Sequence, residues 1–353
     1  MIFNIGNSDP LFDLSVSGYP GATVTITDGK KTYEKVTDSE GNAVFEKLKR
    51  GTWNATAKDG SISIPYEVEI GRDCDNALNI NAIPEFTYDG SYQIVDDNDN
   101  PITTSLRDWK IRFLKVGTVE LNITKLNGAK DGIDVFCVGG GGNGGTGTVY
   151  AEQYDQTVSM NLGGGGGAGG FTSTGRGISV EETTYAIIVG GSCETTKAFD
   201  VTADGGGSGG SPWTATYNDG TAEGPFRYFV GGDGGNGGSG GGAGSDYTQT
   251  SGGTDGNNGG GSAHNSDFYN LSLKTGRYGQ GQRSLGKGTT TREFGEANGK
   301  LYASGGNGGL PNAAGQSAAA NTGNGGGGGS SAGGGAGGSG IVIIRNKRKE
   351  ESE

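Results

Sequence analysis

Histidine occurs once in these 353 residues, methionine twice, cysteine three times and proline eight times. Each scarcity removes a class of explanation. Cys74, Cys137 and Cys193 supply no disulfide framework, and Cys137, inside the apolar run IDVFCV, reads as a buried thiol. The one histidine, His264 in GGGSAHNSDF, reads as a loop residue rather than a catalytic base. No run approaches the ~20 apolar residues of a membrane span, and the start, MIFNIGNSDPLFDL, has neither the charged nor the apolar region of an export signal. Positive charge is also short: 27 Lys and Arg face 39 Asp and Glu, a formal net charge of −12. That excess argues against a nucleic-acid binder, which needs a basic face. The one basic cluster, RNKRK from Arg345, runs straight into acids and reads as a solvated tail over 346–353.

What is abundant is glycine, 77 residues, and its placement matters more than its amount. Only 12 glycines precede Val138; the rest fall largely in seven tracts whose interruptions keep a beat of three. Asp233, Asn236 and Ser239 are spaced so, as are Asn143 and Thr146, Ala168 and Phe171, Ser208 and Ser211, and Asn307 and Leu310. Asn324, Ser330, Ala336 and Ser339 share one register of three. Three residues per turn is the period of the extended polyproline-II helix, which has no internal hydrogen bonds. Glycine-only faces let such helices approach closely, and their N–H and C=O groups must then pair between helices. The expectation is an ordered bundle of polyglycine-II helices rather than a flexible linker. It is supported by the apolar, strand-like runs that abut the tracts: IDVFCV, YAIIV, RYFV, KLYAS and the final IVIIR. Collagen is excluded, because two residues in three are glycine with almost no proline.

Before Val138 the apolar period is two, as in Val24 and Ile26, Trp53, Ala55 and Ala57, and Val119, Leu121 and Ile123. Turn signals such as TDGK, DSEGN, KDGS and DDNDNP punctuate these runs. No stretch carries a long helical period, so the chain reads as all-β. The expected division is a β-sandwich over 1–84, a glycine-rich region of strands and tracts over 85–345, and a charged tail over 346–353.

The segment from Gly21 to Gly60, with its opening GATVTI, a DSEGNAVF hairpin and the strand GTWNATA, resembles the small immunoglobulin-like modules of the carboxypeptidase-regulatory and Cna-B kind. The resemblance implies an immunoglobulin-like sandwich serving as a spacer or docking module. From Phe86 the order FTYDGSYQIVDD, DWKIRFLKVGTVEL, DGIDVFCVGGGG, TTTREFGEANGKLYASGGNGG and GGAGGSGIVIIR is similar to the glycine-rich tail proteins of bacteriophages and prophages of Gram-positive gut bacteria. That resemblance implies a tail or tail-fibre component of a virion, made in the host cytoplasm. Its partners would be other virion proteins and a host surface glycan or protein, with a homotrimer allowed. It also implies that Arg292, Glu293 and Phe294 in TREFGE cap the core rather than touch a ligand.

Signals of catalysis are thin. GQRSLGKGT from Gly281 is one residue from a phosphate-binding loop, with Gly288 where a magnesium-holding hydroxyl should be, and nothing nearby is helical. Asp96, Asp97 and Asp99 read as a hairpin turn before they read as calcium ligands. The chain is expected to be no enzyme and to carry no metal or cofactor. Recognition residues are expected between the tracts, where rings stack on sugars and arginine forks onto carboxylates. The candidates are Trp213, Tyr217, Arg227 and Tyr228, beside Phe226, and His264, Tyr269, Arg277 and Tyr278, beside Phe268 and Arg283. A purely structural virion part, without receptor binding, is the alternative.

Overall fold

The computed structural model describes residues 10–153, 156–161, 164–211, 213–217, 226–230, 235–238, 291–309, 313–329 and 333–348. For 148–153, 156–161, 213–217 and 226–230 the description is of the backbone alone. Among the described residues the chain is all-β: strands in several sheets, two single 3-10 turns and no α-helix.

The first seven strands are β1 (Leu11–Ser17), β2 (Thr23–Thr27), β3 (Thr32–Val36), β4 (Ala43–Lys49), β5 (Gly51–Asp59), β6 (Ile62–Ile70) and β7 (Ala77–Asn79). They form a three-stranded sheet, β4-β1-β7, and a four-stranded sheet, β3-β2-β5-β6. Period-two alternation sends Leu14 and Val16, Val24 and Ile26, and Trp53, Ala55 and Ala57 to one side of their strands, where they join Phe45, Leu48, Ile70 and Ile80 in one buried cluster. Each large side chain buried there stabilises the fold by about 1.5–3 kcal/mol. The DSEGN segment is a turn, with Asp38 Oδ1 accepting the N–H groups of Glu40 and Asn42 at 2.9 and 2.8 Å. It is not the expected hairpin, because β3 and β4, which it joins, belong to different sheets.

The second group is β8 (Glu85–Tyr88), β9 (Tyr92–Val95), β10 (Lys110–Phe113), β11 (Gly117–Lys125), β12 (Ile133–Val138), β13 (Thr148–Gln153), β14 (Gln156–Asn161), β15 (Thr172–Ile178), β16 (Thr184–Val189), β17 (Thr196–Ala198), β18 (Val201–Ala203), β19 (Trp213–Tyr217), β20 (Phe226–Val230) and β21 (Ile341–Asn346). Two five-stranded sheets, β15-β12-β21-β10-β9 and β18-β17-β16-β11-β8, share a core. Ile111, Phe113, Ile133, Val135, Cys137, Val342 and Ile344 come from the first sheet, and Leu121, Ile123, Ile187, Val189 and Val201 from the second. The Cys137 thiol is fully buried, and burial pushes its pKa up to about 12.

Alternation puts Phe136, Val138, Ile341 and Ile343 on the other face of the first sheet, where Phe294, Tyr302 and Ala303 cover them. The last strand, β21, lies between β12 and β10, so the glycine-rich stretch from 139 to 340 leaves and re-enters the sheet at adjacent strands.

Two expectations are corrected here. The KLYAS run forms no strand; Leu301 makes a single bridge to Arg292. The basic cluster is only partly solvated: Lys347 is exposed, and 349–353 lie outside the described residues. Arg345 and Asn346 are buried in β21, and Arg348 pairs with Asp97 and Asp108. The pairing of β21 with β12 and β10 carries Arg345 and Asn346 into the sheet.

Candidate functional site

Eight segments outside the sheets pack together among the described residues, seven of them glycine-rich: I (139–147), II (164–171), III (204–211), IV (235–238), V (303–309), VII (322–329) and VIII (333–340), with VI (313–320) rich in alanine and holding only Gly315. They pair through backbone hydrogen bonds that advance three residues at a time. From segment I, the N–H groups of Gly139, Gly142 and Gly145 donate to the carbonyls of Phe171, Ala168 and Gly165 in segment II, at 2.7–2.9 Å. Gly141 and Gly144 donate to Gly338 and Gly335 in segment VIII, while Gly206 and Gly209 of segment III donate back to Gly140 and Asn143. Segment II in turn donates from Gly164, Gly167 and Gly170 to Gly329, Gly326 and Gly323 of segment VII. This satisfies polar groups that burial would otherwise leave without partners.

The beat of three follows from this packing. A Cβ added at Gly139, Gly142 or Gly145 would fall under 3.0 Å from the backbone of segment III, and one at Gly141 or Gly144 equally close to segment VII. The third register of segment I holds Asn143 and Thr146, and both are exposed. Ser208, Asn307 and Ala336 occupy the exposed register of their own segments in the same way.

The sheets set this arrangement. β12 continues into segment I, segment II leads into β15, and segment VIII leads into β21. The neighbour order β15-β12-β21 is repeated by II, I and VIII. Segment III continues β18.

At the ends of segments I and III away from the sheets the chain forms two hairpins, β13–β14 and β19–β20. β13 lies against both β19 and β20. Trp213, Tyr217, Arg227 and Tyr228 all sit on the second hairpin, in the register Trp213↔Val230, Ala215↔Tyr228, Thr216↔Arg227 and Tyr217↔Phe226. The structure thus gathers these four onto one two-stranded element. The first hairpin was not expected, although TVYAEQ and QTVSMN alternate in the manner of strands. His264, Tyr269, Arg277 and Tyr278 lie outside the described residues, as do Phe268, Arg283, GQRSLGKGT and the interruptions Asp233, Ser239, Leu310 and Ser330.

The TREFGE segment is held over the first sheet by ion pairs to the buried Lys110, Arg112 and Arg345 that sequence reasoning missed. Lys110 Nζ donates to Asp99 Oδ1 at 2.9 Å and to Glu293 Oε1 at 3.0 Å, and Arg112 pairs with the same two carboxylates. Arg345 pairs with Asp134 at 3.2 Å and with Glu296 at 2.6 Å, and its guanidinium lies 4.0 Å from the centre of the Phe294 ring. Arg176 Nη2 donates to the Phe294 carbonyl at 2.6 Å. Phe294 has φ 53, a strained value for a bulky residue, and is buried against Phe136 and Tyr302.

Burial opposes ionisation of Asp99, but hydrogen bonds from Arg112 and Lys110 outweigh it and hold its carboxyl down to about 2. Four cations meet four carboxylates, so the cluster has no unbalanced charge for a substrate; what it does is pin the cap from which segment V starts. The signal for it is faint: Lys110 and Arg112 alternate with Ile111 and Phe113 in a strand whose two faces are both covered. Asp96 makes the expected turn, accepting the N–H groups of Asn98 and Asn100. Among the described residues no group of His, Cys, Asp or Glu is placed to hold a metal ion, and no helix is long and apolar enough to cross a membrane.

An all-β scaffold with period-three glycine pairing defines the class, a glycine-rich domain built onto sheets. The chain belongs to the glycine-rich domain family, whose profile matches residues 116–347. No curated protein and no solved structure matches the chain.

Proposed function

We propose that the protein is a bacteriophage tail or tail-fibre component that binds a host surface receptor through the loops between its glycine segments. In this reading the segments are a bundle of polyglycine-II helices, and strands β1–β7 form an immunoglobulin-like module that docks the protein to other virion proteins. It acts by binding, not catalysis. The bundle is supported by the three-residue step of the inter-segment hydrogen bonds and by the close approach of glycine backbones. The virion assignment rests on the motif order from FTYDGSYQIVDD to IVIIR.

The observation that carries receptor binding is the position of β19–β20. Segment III carries this hairpin at its end away from the sheets, with Trp213 and Tyr217 on one strand and Arg227 and Tyr228 on the other. Loops held by a rigid scaffold are where recognition concentrates, and hot spots favour Trp, Tyr and Arg. Replacing Trp213 and Tyr217 together by Ala should abolish attachment of the purified protein to host cells while the melting temperature changes little. Full attachment by the double variant, or its outright unfolding, would remove the hairpin from recognition.

A second reading is a structural virion part without receptor binding. It is favoured by the lattice surface itself, whose exposed register offers short side chains such as Asn143, Ser208, Asn307 and Ala336 and little apolar area. Antibody labelling of particles in electron micrographs would locate the protein, and the absence of host-cell binding would select this reading.

A further inference from the structure

Segment VII is surrounded by five others. It bonds to segment II through Gly164, Gly167 and Gly170, to segment I through Gly326 and Gly329, and to segment VIII through Gly335 and Gly338. Gly327 donates to Gln316 of segment VI, and Gly325 and Gly328 donate to Ser304 and Asn307 of segment V. Going round segment VII, V bonds to II, II to I, I to VIII, and VIII to VI. Only the step from VI back to V is open among the described residues. A cavity of about 550 Å³ occupies that gap, lined by 304–308 of segment V, by Ala313, Ala314 and 316–318 of segment VI, and by Asn324, Gly325, Gly327 and Gly328 of segment VII.

The walls of this groove carry unused hydrogen-bonding groups. The N–H groups of Gly305 and Gly308, three residues apart on segment V, and of Gln316 and Ser317 on segment VI have no partner among the described residues. No lining residue carries a charge. A strand with three residues per turn is the shape that meets donors spaced by three.

Resting on the polyglycine-II reading of the segments, we propose that this groove is the vacant sixth position around segment VII and binds one extended glycine-rich strand of another protein, with glycine at two positions in three. Carbonyls of the incoming strand accept from Gly305 and Gly308, which share one register of segment V. Its glycine faces lie against the walls, and its third residue points outward. The described segments of a second copy are already bonded to their own neighbours and do not supply the strand.

Calorimetric titration with a capped synthetic peptide of four Gly-Gly-Asn repeats tests this. The peptide should bind, slow the exchange of the Gly305 and Gly308 amides, and lose affinity about tenfold or more, ~1.4 kcal/mol, with Asn307→Trp, which fills the groove from the exposed register. Ser208→Trp, on the exposed register of segment III, should bind normally. A peptide of Ala-Ala-Asn repeats should not bind, because its methyl groups meet the walls.

Failure of the Gly-Gly-Asn peptide to bind a protein whose Gly326 and Gly328 amides are protected would overturn the groove proposal and leave the lattice standing. Free exchange of those two amides would overturn the lattice and the groove together. Equal binding of both peptides, binding of a neutral dextran oligosaccharide instead, or self-association that Asn307→Trp abolishes would each assign the groove to another occupant.

Discussion

The first seven strands and the glycine segments are two solutions to the same problem of burying a backbone. Around Trp53 the chain keeps its backbones a side chain's width apart and fills the space with Leu14, Ile26, Phe45 and Ile70. Around Gly142 it removes the side chains and lets the backbones meet, so the buried group is a peptide unit bonded at 2.7 and 2.9 Å to Ala168 of segment II and Gly326 of segment VII. The energetics differ accordingly. A large apolar side chain contributes about 1.5–3 kcal/mol on burial, whereas a net backbone hydrogen bond contributes only ~0.5–1.5 kcal/mol. Glycine also loses the most conformational entropy on ordering. A lattice of this kind depends on anchorage, and the strands β12, β15, β18 and β21 provide it by clamping segment ends in sheet order.

The largest effect should come from breaking the side-chain core. Trp53 is 2% exposed and donates from Nε1 to the Lys49 carbonyl at 3.0 Å. Trp53→Ala should cost about 3–5 kcal/mol in denaturant unfolding. Amide exchange in segments I, II and VII should be unchanged in native conditions, since those residues belong to no cluster with Trp53. Loss of protection there would show that the two regions are one cooperative unit.

Next is the same insult applied in reverse to the lattice. Gly142→Val places a branched side chain where the backbone of Gly207 lies. Overpacking of this kind costs roughly 1–3 kcal/mol or more. Thermal melts should show it, together with accelerated exchange at Ala168 and Gly207, whose hydrogen bonds flank the site. A silent substitution would mean that segments I and III do not pack at glycine distances.

The sequence made this contrast legible because periodicity reports packing directly. Period two in Val24 and Ile26 or Trp53, Ala55 and Ala57 gave the faces that are buried, and period three in Asn143 and Thr146 or Ser208 and Ser211 gave the register left open. What could not be read is what depends on partners distant in sequence. β3 and β4 look like a hairpin because DSEGN is a good turn, yet turn chemistry does not say which sheet each arm joins. Arg345 looks like the start of a charged tail, and only its meeting with Asp134, 211 residues away, makes it a buried strand residue. Of the hairpin holding Trp213 and Tyr228, RYFV was legible as a strand-like run, but its pairing with the strand of Trp213 was not.

A smaller effect should come from acid. Asp99 joins Lys110 and Arg112 above the first sheet, and its carboxyl titrates at about 2 in the fold against about 3.9 when free. A depressed carboxylate stabilises the fold above its free value and loses that contribution as pH falls through the folded one. Stability should therefore decline between about pH 4 and pH 2, and Asp99→Asn should flatten that part of the urea-unfolding profile. The side chain is 37% exposed, so solvent screening keeps the effect modest. A profile unchanged by the substitution would mean that the cap is held by Glu293 and Arg345 alone.

The smallest effect sharpens the comparison most. Asn307 lies in segment V between Gly306 and Gly309, whose added Cβ atoms would strike segment VII, yet its own side chain is exposed and makes no hydrogen bond among the described residues. Its carbonyl does the structural work, accepting the N–H of Gly328 at 2.8 Å, and any residue supplies a carbonyl. Asn307→Ala should therefore shift stability by no more than about 0.5 kcal/mol, the ordinary range of a surface change. Gly306→Ala, one position away, should cost clearly more, because its methyl group meets the backbone of Gly326. In a side-chain core, neighbouring residues differ because they face opposite sides of a sheet; here they should differ because only one position in three is open. Equal melting temperatures for the two variants would mean that segment V has no fixed register against segment VII, and the period of three would lose its packing explanation.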